Sequence, residues 1–195
     1  MKQEFTLTIY SENQVGLIIK IAILFSRRKL NLESLNTSPS EIENIYRFTI
    51  VVKETESVVK NLVLQLEKIV DVFKVYYNTN EEIIWQQIAL YKLSTAVIMK
   101  EVKVERLLRE YGAKAVVIRN DYTVFEVTGQ DNEINNLLKE LHQYGLIEFV
   151  RSSRIAIIKS SEGIHQKVLD IEKNDPTNLP INNEFLNLKS MIFEM

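Results

Sequence analysis

The chain has 195 residues, 46% hydrophobic and 26% charged, with a formal net charge of -2. That length suits one large or two small globular domains, and that charge supplies no positive field to draw the molecule to nucleic acid or an anionic membrane. The absence of cysteine removes disulfides, thiolate nucleophiles and cysteine-held metals from consideration.

In chain order, the hydrophobic period switches repeatedly between two and 3.6. Phe5, Leu7 and Ile9 alternate with polar neighbours and predict a strand with one buried face. The N-terminus enters this strand without the apolar run of a signal peptide. No later segment reaches the roughly 18 uninterrupted apolar residues of a membrane span, so a cytoplasmic protein is expected. Leu17, Ile18, Ile21, Leu24 and Phe25 recur at helical spacing and predict a helix over Gly16–Arg28. Asn31–Ser38 reads as a second strand, Pro39–Glu41 as a turn and Tyr46–Lys53 as a third strand. Ser57–Val70 places Val58, Val59, Leu62, Leu66 and Ile69 on one helical face, and Val72–Tyr77 closes the unit as a fourth strand. The order βαββαβ is that of the ferredoxin-like split unit, with two helices on one face of an antiparallel sheet.

A polar hinge, Asn78–Glu82, precedes a repeat of the same rhythm. Ile83–Leu93 predicts a strand. Val102, Leu107 and Leu108 belong to a helix stopped by Tyr111-Gly112. Ala113–Arg119 and Tyr122–Thr128 form a hairpin around Asn120-Asp121, and Ile134, Leu137, Leu138 and Leu141 line a further helix that ends before Gly145. Leu146–Val150 and Arg154–Ile158 finish as a pair of short strands around Ser152-Ser153. The fold class is therefore α+β, two ferredoxin-like βαββαβ units in tandem, over residues 1–78 and 83–160. Residues 161–195 form an extension, partly flexible or docked: 163–173 suits a helix, 174–180 breaks it, and the stretch from Phe185 to Phe193 is apolar enough to dock.

Catalytic constellations are scarce. The two histidines, His142 and His165, fall in a surface helix and in the extension, with no nearby partners for a metal or a nucleophile–base pair. Five scattered glycines make no phosphate loop, and the carboxylate pairs Glu54/Glu56 and Glu81/Glu82 lie where solvated surface charge is the ordinary reading. Trp85 opens a strand, where packing is expected. The same strand order occurs in RNA-recognition modules, but those carry stacking aromatics within a basic, Gly-containing signature. Here the third strand offers only Tyr46, Phe48 and one arginine in an acidic chain. What stands out is the polar turn Ser11–Gly16 between a strand and an amphipathic helix, where a chain can present free backbone N–H groups to a small anion. It points to a sensor of a small acid or amino acid.

That turn, Glu12-Asn13-Gln14-Val15-Gly16-Leu17, together with Leu24–Arg28, Asn31-Leu32-Glu33-Ser34-Leu35, Ser38-Pro39-Ser40, Arg47-Phe48-Thr49-Ile50, Gln65–Val72 and Tyr122-Thr123-Val124, resembles the regulatory small subunits of acetolactate synthase (acetohydroxyacid synthase) over about the first 160 residues. The resemblance implies that residues 1–78 are an ACT regulatory domain and 83–160 a C-terminal ferredoxin-like domain. It implies a chain without chemistry of its own, binding and activating a large catalytic subunit in valine, leucine and isoleucine biosynthesis. It places thiamine diphosphate, Mg and FAD on that partner and none here. It further implies a homodimer through the ACT domains, with feedback inhibition by a branched-chain amino acid, usually valine. By motif position the effector site comprises Asn13, Gly16, Leu17 and Ile18 of one chain with Asn31 and Leu32 of its neighbour.

These residues suit an amino-acid ligand. Helix-start N–H groups accept a carboxylate, a glycine admits close backbone approach, and asparagine amides both donate and accept. Simpler roles use the same groups: Asn13 as a helix cap, Gly16 as a turn residue, Asn31 at the helix-to-strand corner. Departures from the family pattern fall at Val15, Leu17, Lys20 and Lys29, the last at a usual glycine position. A bulky Leu17 at the pocket edge is expected to reshape effector choice. The alternative function is a stand-alone amino-acid-sensing ACT protein acting on another enzyme.

Overall fold

The computed structural model describes residues 1–160 and 164–172. They belong to two compact units, one of Met1–Ile84 with the described residues from Ile157 onward, the other of Trp85–Ala156.

The first unit runs β1 (Gln3–Glu12), α1 (Leu17–Arg27), β2 (Ser34–Pro39), β3 (Ile45–Glu54), α2 (Glu56–Leu66) and β4 (Val72–Thr79). The antiparallel sheet has the order β2-β3-β1-β4. Register pairs Leu7 with both Ile50 and Tyr77 and Ile9 with both Phe48 and Val75, so the alternating apolar residues of three strands share one face. Onto it α1 lays Leu17, Ile21 and Phe25, and α2 lays Val59, Leu62 and Leu66, all buried with Phe5, Leu7 and Ile9. Each such side chain contributes about 1.5–3 kcal/mol by leaving water.

The end of α1 explains why β2 starts at Ser34 and not at Asn31. The Leu30 N–H donates to the Phe25 carbonyl (3.0 Å) and the Lys29 N–H to the Ser26 carbonyl (3.0 Å), the double closure of a Schellman stop. Lys29 takes φ 56° to make it, in the left-handed region that favours glycine. Leu30 and Leu32 then pack against the core, and the ladder begins only where the Glu33 N–H meets the Val51 carbonyl (3.0 Å). Pro39, expected in the turn, is the last residue of β2, an edge strand where a missing N–H is tolerated. The helix read to Val70 stops at Leu66. The Ile69 N–H donates to the Leu66 carbonyl (3.1 Å) and the Val72 N–H to the Ile69 carbonyl (2.9 Å), turns that return the chain to the sheet. β4 continues through Thr79, so the hinge shrinks to a turn in which Glu82 Oε2 accepts from the Thr79 N–H (2.7 Å) and hydroxyl (3.0 Å).

A register shift between Tyr10 and Ser11 lets β4 insert one extra residue. Val72 and Val75 keep to the helix side while Phe73 turns to the opposite face. There it joins Tyr10, Ile42, Ile45 and Tyr76 in a second apolar cluster, to which α6 (Ile164–Glu172) adds Val168. The helix expected over 163–173 is thus present. The breaker at 174–180 and the apolar stretch of 185–193 lie outside the described residues.

The second unit runs β5 (Ile83–Ser94), α3 (Thr95–Lys100), α4 (Val102–Glu110), β6 (Lys114–Ile118), β7 (Tyr122–Gly129), α5 (Asp131–His142), β8 (Glu148–Arg151) and β9 (Ile155–Ile158), β5 and β9 reaching past its bounds. Its order, β6-β7-β5-β8, reproduces that of the first. Ala89, Tyr91 and Leu93 face Val104, Leu107 and Leu108 of α4 and Ile134, Leu137 and Leu141 of α5. The Tyr91 hydroxyl donates to the Ile134 carbonyl (2.8 Å), and burial pushes its pKa up to about 12. The short α3 has no counterpart in the sequence reading, since Thr95–Lys100 buries no residue and so shows no periodic stripe. The two closing strands do not pair as a hairpin. Both lie along β5, joined by a bend where the Ser152 N–H donates to the Ile88 carbonyl (2.8 Å). Trp85 is buried under the Arg154 guanidinium, 3.8 Å from the ring centroid, as packing predicts.

Because Lys29 holds a conformation that glycine adopts without strain, Lys29→Gly is expected to stabilise the first unit by about 1 kcal/mol, read as an increased urea midpoint with unchanged slope.

Candidate functional site

The loop from β1 to α1 is built on one turn. The Leu17 N–H donates to the Gln14 carbonyl (3.2 Å), with Gly16 at φ 85°, ψ -1° in the third position, the geometry of a type II turn. A Cβ at Gly16 would meet nothing within 4 Å, so the glycine is required by its φ and not by crowding within the chain. Gly16 is also the N-cap of α1, and its carbonyl accepts from the N–H groups of Ile19 (3.0 Å) and Lys20 (3.2 Å). No side chain caps the helix and no acidic residue sits in its first turn. The capping role open to Asn13 is therefore not the one it plays: its exposed side chain makes no hydrogen bond among the described residues. The Ile18 N–H likewise has no backbone acceptor among them, leaving one helix-start donor facing outward with the positive end of the helix dipole behind it.

Two contacts fix this loop to the sheet. The Glu12 N–H donates to the Asp71 carbonyl (3.0 Å), and Lys20 pairs with the Asp71 carboxylate at 2.5 Å. Neither was apparent from sequence, because Asp71 lies 51 positions from Lys20 and meets it only through the turn after α2. Lys20, noted above as a departure from the family pattern, is thus half of a local ion pair.

The remaining expected residues fall as follows. Leu17 is 1% exposed within the core, so the pocket-edge role expected for its side chain is replaced by a packing one. Ile18 is 42% exposed beside it. Asn31 is exposed and donates through Nδ2 to Glu33 Oε1 (3.1 Å), while Leu32 is half-buried against the core. Asn13, Gly16, Leu17 and Ile18 lie at one end of α1 and Asn31 and Leu32 beyond the other, about 16 Å along the helix. One chain does not bring the two sets together.

Between them α1 carries a second apolar stripe. Ile18, Ile19, Ala22 and Ile23 are exposed on the side opposite Leu17, Ile21 and Phe25, and Leu35 on the edge strand β2 is also exposed. The stripe is an apolar helix face that the chain itself leaves uncovered among the described residues. The sequence places Ile18 at helical spacing with the core residues of α1 and, by motif position, in the expected effector site. The extra signal was Ile19 and Ile23, which fit no single core-facing stripe.

Comparison with known proteins follows the same division. The family model described as "AHAS small subunit-like ACT domain" matches residues 7–74, and that described as "Small subunit of acetolactate synthase" matches residues 86–160. The acetolactate synthase small subunit of Bacillus subtilis is 32% identical over 163 residues, 83% of this chain and 93% of the relative. The chain belongs to the acetolactate synthase small-subunit family. A probable acetolactate synthase small subunit of Archaeoglobus fulgidus is 29% identical over 157 residues, 80% of this chain and 98% of the relative. The crystal structure of the small subunit from Thermotoga maritima shares the fold, with a TM-score of 0.73 at 23% identity over 82% of this chain and 99% of that one. As a small subunit of this family the chain is a regulatory subunit with two tandem ferredoxin-like units, the first an ACT domain. No helix among the described residues is long and apolar enough to cross a membrane, and no three of their metal-ligating side chains converge.

The turn geometry makes Gly16 the sensitive backbone position: Gly16→Ala is expected to cost about 1–2 kcal/mol through its positive φ, measured by thermal unfolding. Asn13→Ala, whose side chain holds nothing in the fold, should leave the melting temperature unchanged.

Proposed function

We propose that this chain activates the catalytic large subunit of acetolactate synthase and makes it responsive to a branched-chain amino acid, valine foremost, in valine, leucine and isoleucine biosynthesis. The observation that carries the reading is the family match along both units, spanning 93% of the Bacillus relative. In this reading the small subunit performs no chemistry. Thiamine diphosphate, Mg and FAD belong to the large subunit, and the holoenzyme works in the cytoplasm. The match over residues 86–160 favours this over a stand-alone amino-acid sensor, which would need only the first unit.

The effector site is one that two chains complete. The exposed stripe Ile18, Ile19, Ile23 and the edge strand β2 with Leu35 supply an apolar, hydrogen-bond-ready margin that a second copy covers by two-fold pairing. Such pairing brings the loop of one protomer near the helix-to-strand corner of the other, so that Asn13, Gly16, the Leu17 backbone and Ile18 share a ligand with the partner's Asn31 and Leu32. The effector carboxylate takes the Ile18 N–H at the positive end of α1, and the asparagine amides take its ammonium and remaining oxygen. Its aliphatic side chain lies against Ile18 and Leu32.

Mixing the purified chain with the large subunit is expected to raise acetolactate turnover several-fold, and an unchanged rate would refute the activation. Calorimetry should detect valine on the wild type and lose about tenfold in affinity with Asn13→Ala, the loss of about 1.4 kcal/mol expected when one well-placed polar contact goes. Ile23→Glu places a charge on the proposed seam. Sedimentation should report a monomer for it where the wild type is a dimer.

A further inference from the structure

Beyond residue 160, where the family match ends, the chain still carries α6. The A. fulgidus relative is matched over 98% of its length by 157 residues of this chain, and the family model stops at residue 160, before α6 begins. It sits against the sheet face opposite α1 and α2. Val168 is 2% exposed, seated among Tyr10, Ile42, Ile45, Phe73 and Tyr76. Tyr10 and Tyr76 meet edge to face with ring centroids 6.1 Å apart. The Tyr10 hydroxyl donates to Glu41 Oε1 (3.0 Å), whose other oxygen pairs with Arg47 at 2.5 Å, and burial beside Glu41 holds the phenol well above the ordinary tyrosine range. Leu169 is 48% exposed, so among the described side chains of α6 it is Val168 that makes the buried contact.

The residues it touches are those that lead into the effector loop. Tyr10 is three positions before Asn13, and Ile45 is the register partner of Glu12. Phe73 follows the Asp71 and Val72 that hold Glu12 and Ser11, and Ile42 anchors the β2–β3 loop at the same end of the sheet. We infer that α6 is a strap that holds the β1–α1 loop in its ligand-ready arrangement, with Val168 and Tyr10 as positioning residues for the effector site. A loop ordered before binding loses less freedom on binding, so seating of α6 and effector affinity are thermodynamically linked. The inference rests on the effector reading above, and its physical half, the ordering of the loop, is measurable without any effector.

The test uses the full chain with Val168→Asp, Val168→Ala and the conservative Val168→Ile, each shown to be folded by circular dichroism. Hydrogen exchange by mass spectrometry is expected to speed up at least tenfold in peptides covering 9–16 and 40–46 in the Asp variant. The Ala variant should give a smaller rise and the Ile variant none, with peptides covering 104–118 of the second unit unchanged in all three. Valine affinity by calorimetry should weaken at least fivefold in the Asp variant and recover in the Ile variant. Unchanged exchange at 9–16, or unchanged valine affinity in a variant whose exchange has risen, overturns the strap. If the wild type binds none of valine, leucine and isoleucine, the effector reading falls, and the exchange data alone then decide whether α6 orders the loop.

Discussion

Strand β1 is hydrogen-bonded along both edges and buried on both faces, and the rest of the first unit is arranged around that constraint. It pairs with β3 over Gln3–Glu12 and with β4 from Phe5 to Ser11. On one face Phe5, Leu7 and Ile9 meet the two helices; on the other Thr6 and Tyr10 are also out of solvent, each 1% exposed. A strand so enclosed has no freedom to slip, because a shift of one residue would exchange its aliphatic and hydroxyl faces. Its end, and with it the loop that follows, is therefore held in place by the whole sheet.

That placement is what makes the loop a candidate site. Ligands bind where backbone donors are left over and the scaffold behind them is rigid, and both conditions meet where β1 gives way to α1. Gly16 turns the chain, its carbonyl closes the first helical turn, and the outward Ile18 N–H is left with the helix dipole behind it. Asp71 ties the loop from one side through the Glu12 N–H and Lys20. On the other face of the sheet, the β-bulge that turns Phe73 away from the core creates the seat for Val168. One inserted residue thus makes room, at the edge of the loop, for a helix beyond the residues that the family models match.

The second unit repeats the strand order with different fittings. Its central strand β5 carries Ala89, Tyr91 and Leu93 into the helical core, while β8 and β9 share one side of it in place of a single closing strand. No glycine-turned helix start follows β5. The chain runs instead into α3, whose Thr95 hydroxyl donates to the Arg119 carbonyl (2.7 Å), so the loop corresponding to the candidate site is closed by the protein's own contacts. The same topology thus starts its first helix at a glycine turn in one unit and at a threonine tied to the β6–β7 turn in the other.

Periodicity in the chain was enough to determine the α+β class, the tandem βαββαβ order and most of the core, because alternation in β1 and β3 and the 3.6-residue stripes of α1, α2 and α5 are local consequences of burying one face. It was also enough to single out the Ser11–Gly16 turn, since only glycine sits easily at φ 85°. Element ends were less legible. The α1 stop uses Lys29 where glycine was the expected signal, and the early end of α2 depends on carbonyls finding partners in the returning chain. Tertiary structure alone decided that Asp71 meets Lys20 and that Val168 reaches Tyr10. Each joins residues from separate elements whose proximity is set by strand pairing and helix packing, and no pattern within one element records it.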